Sequence, residues 1–129
     1  MSPTSHHEIL LFEPSSLTAS IIVATARQMN LPRVRQVSSV RTAHQQLTAQ
    51  GFQALIMSLD EPTDAVALLE QVRNDQLAVD AQVPVAVTIA QVDPSTAVKM
   101  KALQVRRVLL KPFKVRDVIT TIEMLRRED

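Results

Sequence analysis

The stretch Val83–Ala90 reads VPVAVTIA and carries no charge. It has the length of a strand, it is rich in β-branched side chains, and it is apolar on both of the faces a strand would present. Such a segment belongs inside a parallel sheet covered by helices on either side. Working outward, Glu8–Phe12 (EILLF) and Phe52–Met57 (FQALIM) are further apolar runs of strand length, Val34–Val37 is a weaker one, and Val105–Leu110 is the fifth.

Helical patterns fill the intervals. Ser15 or Ser16 can cap a helix with Leu17, Ile21 and Ala24 at helical spacing to about Met29, and Leu31-Pro32 stops it. Ser39 caps a second helix carrying Val40, Ala43 and Leu47, with Gly51 expected in the left-handed position just past its end. After Pro62, Thr63 or Asp64 is expected to cap a helix with Ala65, Leu69 and Val72 along one stripe. Asp93-Pro94 opens a fourth helix to about Leu103, and Val115, Ile119, Ile122 and Leu125 make the last amphipathic one. Five strands alternate with five helices over short connections. Right-handed crossovers then predict an α/β fold, a doubly wound five-stranded parallel sheet with five helices. Residues 1–129 are read as one domain, with residues 1–7 expected to be disordered, the His6-His7 pair included.

Composition removes several kinds of chemistry. The chain has no cysteine, so disulfides, zinc-thiolate sites and thiol nucleophiles are all absent. Gly51 is the one glycine, which leaves no way to build a dinucleotide fingerprint or a phosphate-cradling loop. Three phenylalanines, with neither tryptophan nor tyrosine, make a poor stacking platform for single-stranded nucleic acid. There is no signal-peptide core and no membrane-spanning run, so a cytoplasmic protein without membrane contact is expected. Net charge is +1 but unevenly placed. Residues 1–98 hold five basic and nine acidic side chains, whereas residues 99–129 hold nine basic and four acidic, which points to an acidic partner or a self-complementary contact.

A doubly wound sheet places its site at the carboxyl ends of its strands. Those ends read Glu13-Pro14, Ser58-Leu59-Asp60-Glu61-Pro62, Ile89-Ala90 and Lys111-Pro112-Phe113. The series, above all Lys-Pro-Phe after an apolar strand, resembles the response-regulator receiver family over about Glu8 to Glu128. The fit has no gap from Ile9 to Pro62 or from Pro84 to Phe113. The resemblance implies the flavodoxin-like receiver topology and a cis bond before Pro112. In the family two adjacent acids help to hold magnesium and an aspartate accepts the phosphoryl group. A hydroxyl residue and the lysine of Lys-Pro-Phe grip its oxygens.

Set against that pattern, this chain departs at most positions. Glu13 keeps one acid of the pair and Pro14 replaces the other. Ser58 stands at the acceptor position and Ile89 at the hydroxyl position, with Thr88 expected to face away because neighbouring strand residues point oppositely. Val108 replaces the aromatic switch residue three positions before the lysine, and Lys111 survives. Lys111 is expected to pair with Glu13 or Asp60, since unpaired buried charge is costly.

These losses imply a phosphorylation-independent protein-interaction module of a two-component-type system, not an enzyme, with no cofactor and no bound magnesium. The alternative is an atypical phosphoacceptor using Asp60 with Glu13 and Lys111. Lys99, Lys101, Arg106, Arg107 and Lys114 are expected to gather where the fourth helix, fifth strand and last helix meet. That face would contact a protein partner, a second copy included, and nucleic acid is not the expected ligand.

Overall fold

The computed structural model describes residues 7–126. The elements run β1 (Ile9–Phe12), α1 (Ser16–Gln28), β2 (Val34–Val37), α2 (Val40–Ala49), β3 (Ala54–Ser58), α3 (Pro62–Arg73), β4 (Val85–Ile89), α4 (Pro94–Ala102), β5 (Arg107–Leu110) and α5 (Val115–Arg126). All four strand pairings are parallel, in the order β2-β1-β3-β4-β5. This is the expected flavodoxin-like, doubly wound sheet, with its switch point between β1 and β3.

Alternation along each strand divides the core in two. Leu10, Phe12, Leu55, Met57, Val85 and Val87 pack against Leu47 of α2, Leu69 and Val72 of α3, and Met100 of α4. On the other face Ile9, Leu11, Ile56 and Ala86 meet Ile22 of α1 with Val118, Ile122 and Leu125 of α5. β1, β3 and β4 are buried along their whole length, while the flanking strands β2 and β5 are partly open. The weak apolar pattern of β2 is thus the mark of an outer strand.

Helix ends follow local chemistry. Ser15, Ser39 and Asp93 each accept the backbone N–H three residues on, from Thr18, Thr42 and Thr96. Two expectations are corrected. The cap position of α3 is Glu61, without a side-chain capping bond, and the helix starts at Pro62 rather than after Thr63 or Asp64. Proline at the first helical position needs no N–H partner, so the start moves upstream. Gly51 does not take the left-handed position, because α2 runs straight into extended backbone at Gln50 (φ −159°). Left-handed residues instead lie just past α1, α3 and α4, at Asn30, Asp75 and Gln104. Of the segment expected to be disordered, residues 1–6 lie outside the described residues, as do residues 127–129. The carbonyl of His7 accepts from Gln53 Nε2 at 2.6 Å. No helix among the described residues is long and apolar enough to cross a membrane.

On the side of β4 and α4, the end of the sheet opposite the cleft is tied by one side chain. Arg73, half-buried at the last turn of α3, donates to the carbonyls of Leu103, Ala81 and Val83, each at 2.8 Å. It joins α3, the approach to β4 and the end of α4. Arg73→Ala leaves three carbonyls without their donor and is expected to lower unfolding free energy by about 2–3 kcal/mol, read from urea midpoints. Arg73→Lys should restore only part of this, since an ammonium cannot reproduce the planar fork.

Candidate functional site

The sheet register brings three polar positions level. Phe12 pairs with Met57 and Ser58 with Thr88, so Glu13, Ser58 and Thr88 stand side by side at the ends of β1, β3 and β4. Glu13 continues the ladder through its N–H to Val37 O at 3.1 Å. Leu11, Ile56 and Ala86, two residues earlier on each strand, lie in the core toward α1 and α5. Strand alternation therefore turns all three polar side chains to that face.

Glu13 is the deepest charge, with a side chain 1% exposed. Its carboxylate accepts from Thr88 Oγ1 at 3.0 Å and from Ser15 N–H at 3.1 Å, and it meets Lys111 Nζ at 3.0 Å. Lys111 also donates to Asp60 Oδ2 at 2.6 Å. Asp60, 35% exposed, accepts the Ala90 N–H on its other oxygen at 2.7 Å. One ammonium thus bridges two carboxylates, and the loops after β1, β3, β4 and β5 share one network. The cleft above it holds about 520 Å³ and is lined by Phe12, Glu13, Pro14, Ser58, Asp60 and Lys111 among others.

Electrostatics follow from these contacts. Partial burial disfavours the charged form of Asp60, but the Lys111 hydrogen bond, the Ala90 N–H and the nearby ammonium outweigh it and hold the carboxyl below its usual value. Burial likewise disfavours charged Lys111. The bonds and charges of Asp60 and Glu13 overcome that cost and raise its pKa. Pairing of Lys111 with the acids is what the sequence led us to expect; it involves both of them.

Thr88 and Ile89 exchange the places expected of them. Thr88 reaches Glu13 from below, whereas Ile89 is buried in the core on the opposite face, with Val85 and Val87. A gapless fit from Pro84 to Phe113 selects Ile89. One additional residue between β4 and β5 selects Thr88, the hydroxyl the register actually aligns with Ser58. Val108 is half-buried beside Val87, its ladder partner. The Lys111-Pro112 bond is cis. The Ala90 N–H bond to Asp60 is a second feature the strand-end reading missed, since a backbone donor carries no residue signature.

The basic residues divide. Lys99, Lys101 and Lys114 are exposed. Arg106 and Arg107 instead lean on α5, Arg106 Nη1 donating to Met124 O at 3.2 Å and Arg107 Nε to Thr121 Oγ1 at 3.2 Å. Among the described residues, no group of three or more His, Cys, Asp or Glu side chains is arranged to hold a metal ion.

The depressed Asp60 carboxyl stabilises the fold above its unfolded pKa of about 4 and loses that contribution as pH falls through the lower folded value. The raised Lys111 stabilises below its unfolded value of about 10.4 and fails as pH rises through the folded one. Asp60→Asn should therefore cost roughly 0.5–1 kcal/mol near neutrality, modest because the pair is partly solvated. The difference from the parent chain should shrink below about pH 4, measured by thermal melts across pH.

Compared by sequence, the chain matches no protein-family model and no curated protein. Compared by structure, it resembles several solved signalling domains. A signal receiver domain of a two-component histidine kinase from Clostridium thermocellum superposes with a TM-score of 0.80 at 14% identity, over 95% of this chain and 98% of that one. A response regulator from Thermotoga maritima gives 0.79 at 15% identity, over 92% and 96%. The receiver domain of a sensor histidine kinase from Pseudomonas aeruginosa, solved with magnesium coordinated in its active-site cleft, gives 0.75 at 22% identity, over 91% and 94%. With the sheet order, the strand-end cleft and these superpositions in place, the chain has the fold of the response-regulator receiver domains.

Proposed function

We propose that the chain is a degenerate receiver domain of a two-component-type signalling system, acting as a phosphorylation-independent protein-interaction module and not as an enzyme. The observation that carries this reading is Lys111 held between Glu13 and Asp60, beside a serine at the acceptor position. A hydroxyl cannot form the mixed anhydride that a carboxylate forms with phosphate. An incoming phosphoryl group would also have to displace two carboxylates from the one ammonium in the cleft.

The residues present do not fit magnesium. Mg²⁺ demands hard oxygen ligands in near-octahedral array. Pro14 supplies neither carboxylate nor N–H, and the oxygens of Glu13 are already engaged by Thr88, Ser15 N–H and Lys111. Those of Asp60 are engaged by Ala90 N–H and Lys111.

The competing reading, Asp60 as a working phosphoacceptor with Glu13 and Lys111, draws support from the greater exposure of Asp60 and its place in the cleft lining. One assay separates the two. Magnesium with beryllofluoride should leave the amide NMR shifts unchanged, and acetyl phosphate should add no mass. A stoichiometric phosphoadduct would overturn the proposal, and its loss in Asp60→Asn would assign the chemistry to Asp60.

Partner contact is assigned to the face of α4, β5 and α5, with a cytoplasmic protein as partner, a second copy of the chain included, and neither membrane nor nucleic acid. Exposed Lys99, Lys101 and Lys114 share these elements with the exposed apolar groups Val98, Leu110 and Val115. Apolar groups beside a predominance of basic side chains suit a protein surface of opposite sign. Lys99→Glu with Lys101→Glu should reduce partner recovery in pull-downs by about fivefold or more. Unchanged recovery would move the interface elsewhere. Arg106 and Arg107 are poor reporters, because their bonds to α5 make reversal a test of folding.

A further inference from the structure

The β2 edge of the sheet, remote from the α4–β5–α5 face, is itself built to receive a ligand. Among the described residues, β2 has β1 as its only neighbour in the sheet. On that side Arg33 O accepts from Ile9 N–H at 2.9 Å and Val37 O from Glu13 N–H at 3.1 Å. Residues of a parallel ladder alternate between the two sides of a strand, so Val34 and Gln36 turn their N–H and C=O groups outward. Such a row is a template for one more strand. Beside it α1 and β2 enclose two contiguous hollows of about 420 Å³ each, which share Val23, Arg27 and Val34 in their walls. Small and apolar groups, Ala19, Ala24 and Leu31, line them further and leave room for alternate side chains of an extended segment.

Charge selects the occupant. No aspartate or glutamate occurs between Glu13 and Asp60, and that span carries Arg27, Arg33, Arg35 and Arg41. Arg41 lies between α2 and α3 near Asp64, whereas Arg27, which is exposed, and Arg33, its side chain 82% exposed, line the hollows beside the β2 edge. The carboxylate that meets this group, Glu8, is buried and shared between Arg33 at 3.4 Å and Arg35 at 2.9 Å. The edge is left with a surplus of positive charge.

The geometry points to an acidic, extended segment of a partner protein as the ligand, added as a sixth strand alongside β2. The arginines repel the same edge of a second copy and attract glutamate or aspartate, so they deter self-pairing while favouring this partner. A nucleic acid suits the edge less well, since it offers outward peptide groups and Phe12 and Phe52 are buried, with no aromatic platform for bases.

The test uses the full chain, isotope-labelled, and an acetylated hexapeptide alternating glutamate and valine. Titration should move the amide resonances of Val34 and Gln36 most and slow their hydrogen exchange. Arg27→Glu with Arg33→Glu should weaken binding about tenfold or more. Both side chains reach solvent, whereas Arg35 is tied to Gln46 and Glu8. The same peptide N-methylated at alternate residues keeps its charges but cannot complete a ladder, and should bind the parent chain at least about tenfold more weakly. That comparison needs no variant, so it decides even if the charge reversal unfolds the chain. Equal binding of the N-methylated peptide, shifts centred on another face, no binding of the hexapeptide, or tighter binding of oligothymidylate at this edge would each overturn the proposal.

Discussion

A carboxylate removed from water must be compensated where it stands, and Glu13 imposes that requirement on the whole carboxyl end of the sheet. Its side chain is nearly inaccessible, and the compensation comes from three elements: the Thr88 hydroxyl, the Ser15 N–H and the Lys111 ammonium. Lys111 must itself be drawn in from solvent, and Asp60 offsets that cost while anchoring Ala90. Satisfying one charge therefore positions four loops. In this cluster the lysine charge is already shared between two carboxylates.

The same constraint operates at the other end of β1. Glu8 is buried just before the strand and is neutralised by Arg33 and Arg35 from its neighbour, as Glu13 is just after it by Lys111. Between them Ile9, Leu10 and Leu11 are fully buried. A strand enclosed on both faces carries few distinguishing contacts of its own, because apolar packing tolerates small shifts along the strand direction. Two charges with distant and specific partners give β1 a fixed position that packing alone does not supply.

Most of the fold was legible in the chain, because uncharged β-branched runs and capped amphipathic stripes each have a local cause. What escaped was whatever depends on register or on backbone atoms. Thr88 and Ile89 are neighbours in sequence and opposites in space, and a single residue of loop length decides which of them an alignment sets beside Glu13. The end of α2 was misread at Gly51 because glycine permits a left-handed turn without requiring one, while Asn30, Asp75 and Gln104 take that conformation unannounced. Nothing in the sequence singles out Arg73, because its three acceptors are carbonyls that no residue type reveals. The arginines of the β2 edge were hidden in an overall acidic segment, because a tally over residues 1–98 averages an acid-free stretch between Glu13 and Asp60 with the acidic stretches around it.

The separation of Glu13 from Lys111 has a temporal side as well. The two are 98 positions apart along the chain. During synthesis from the amino end, β1 and β3 emerge well before the cation that makes burial of Glu13 tolerable. A nascent chain lacking β5 must leave that carboxylate hydrated and its first strands loosely paired. Cooperative closure of the sheet is thereby deferred until the last strand leaves the ribosome, and an early, partly zipped intermediate has little reason to persist.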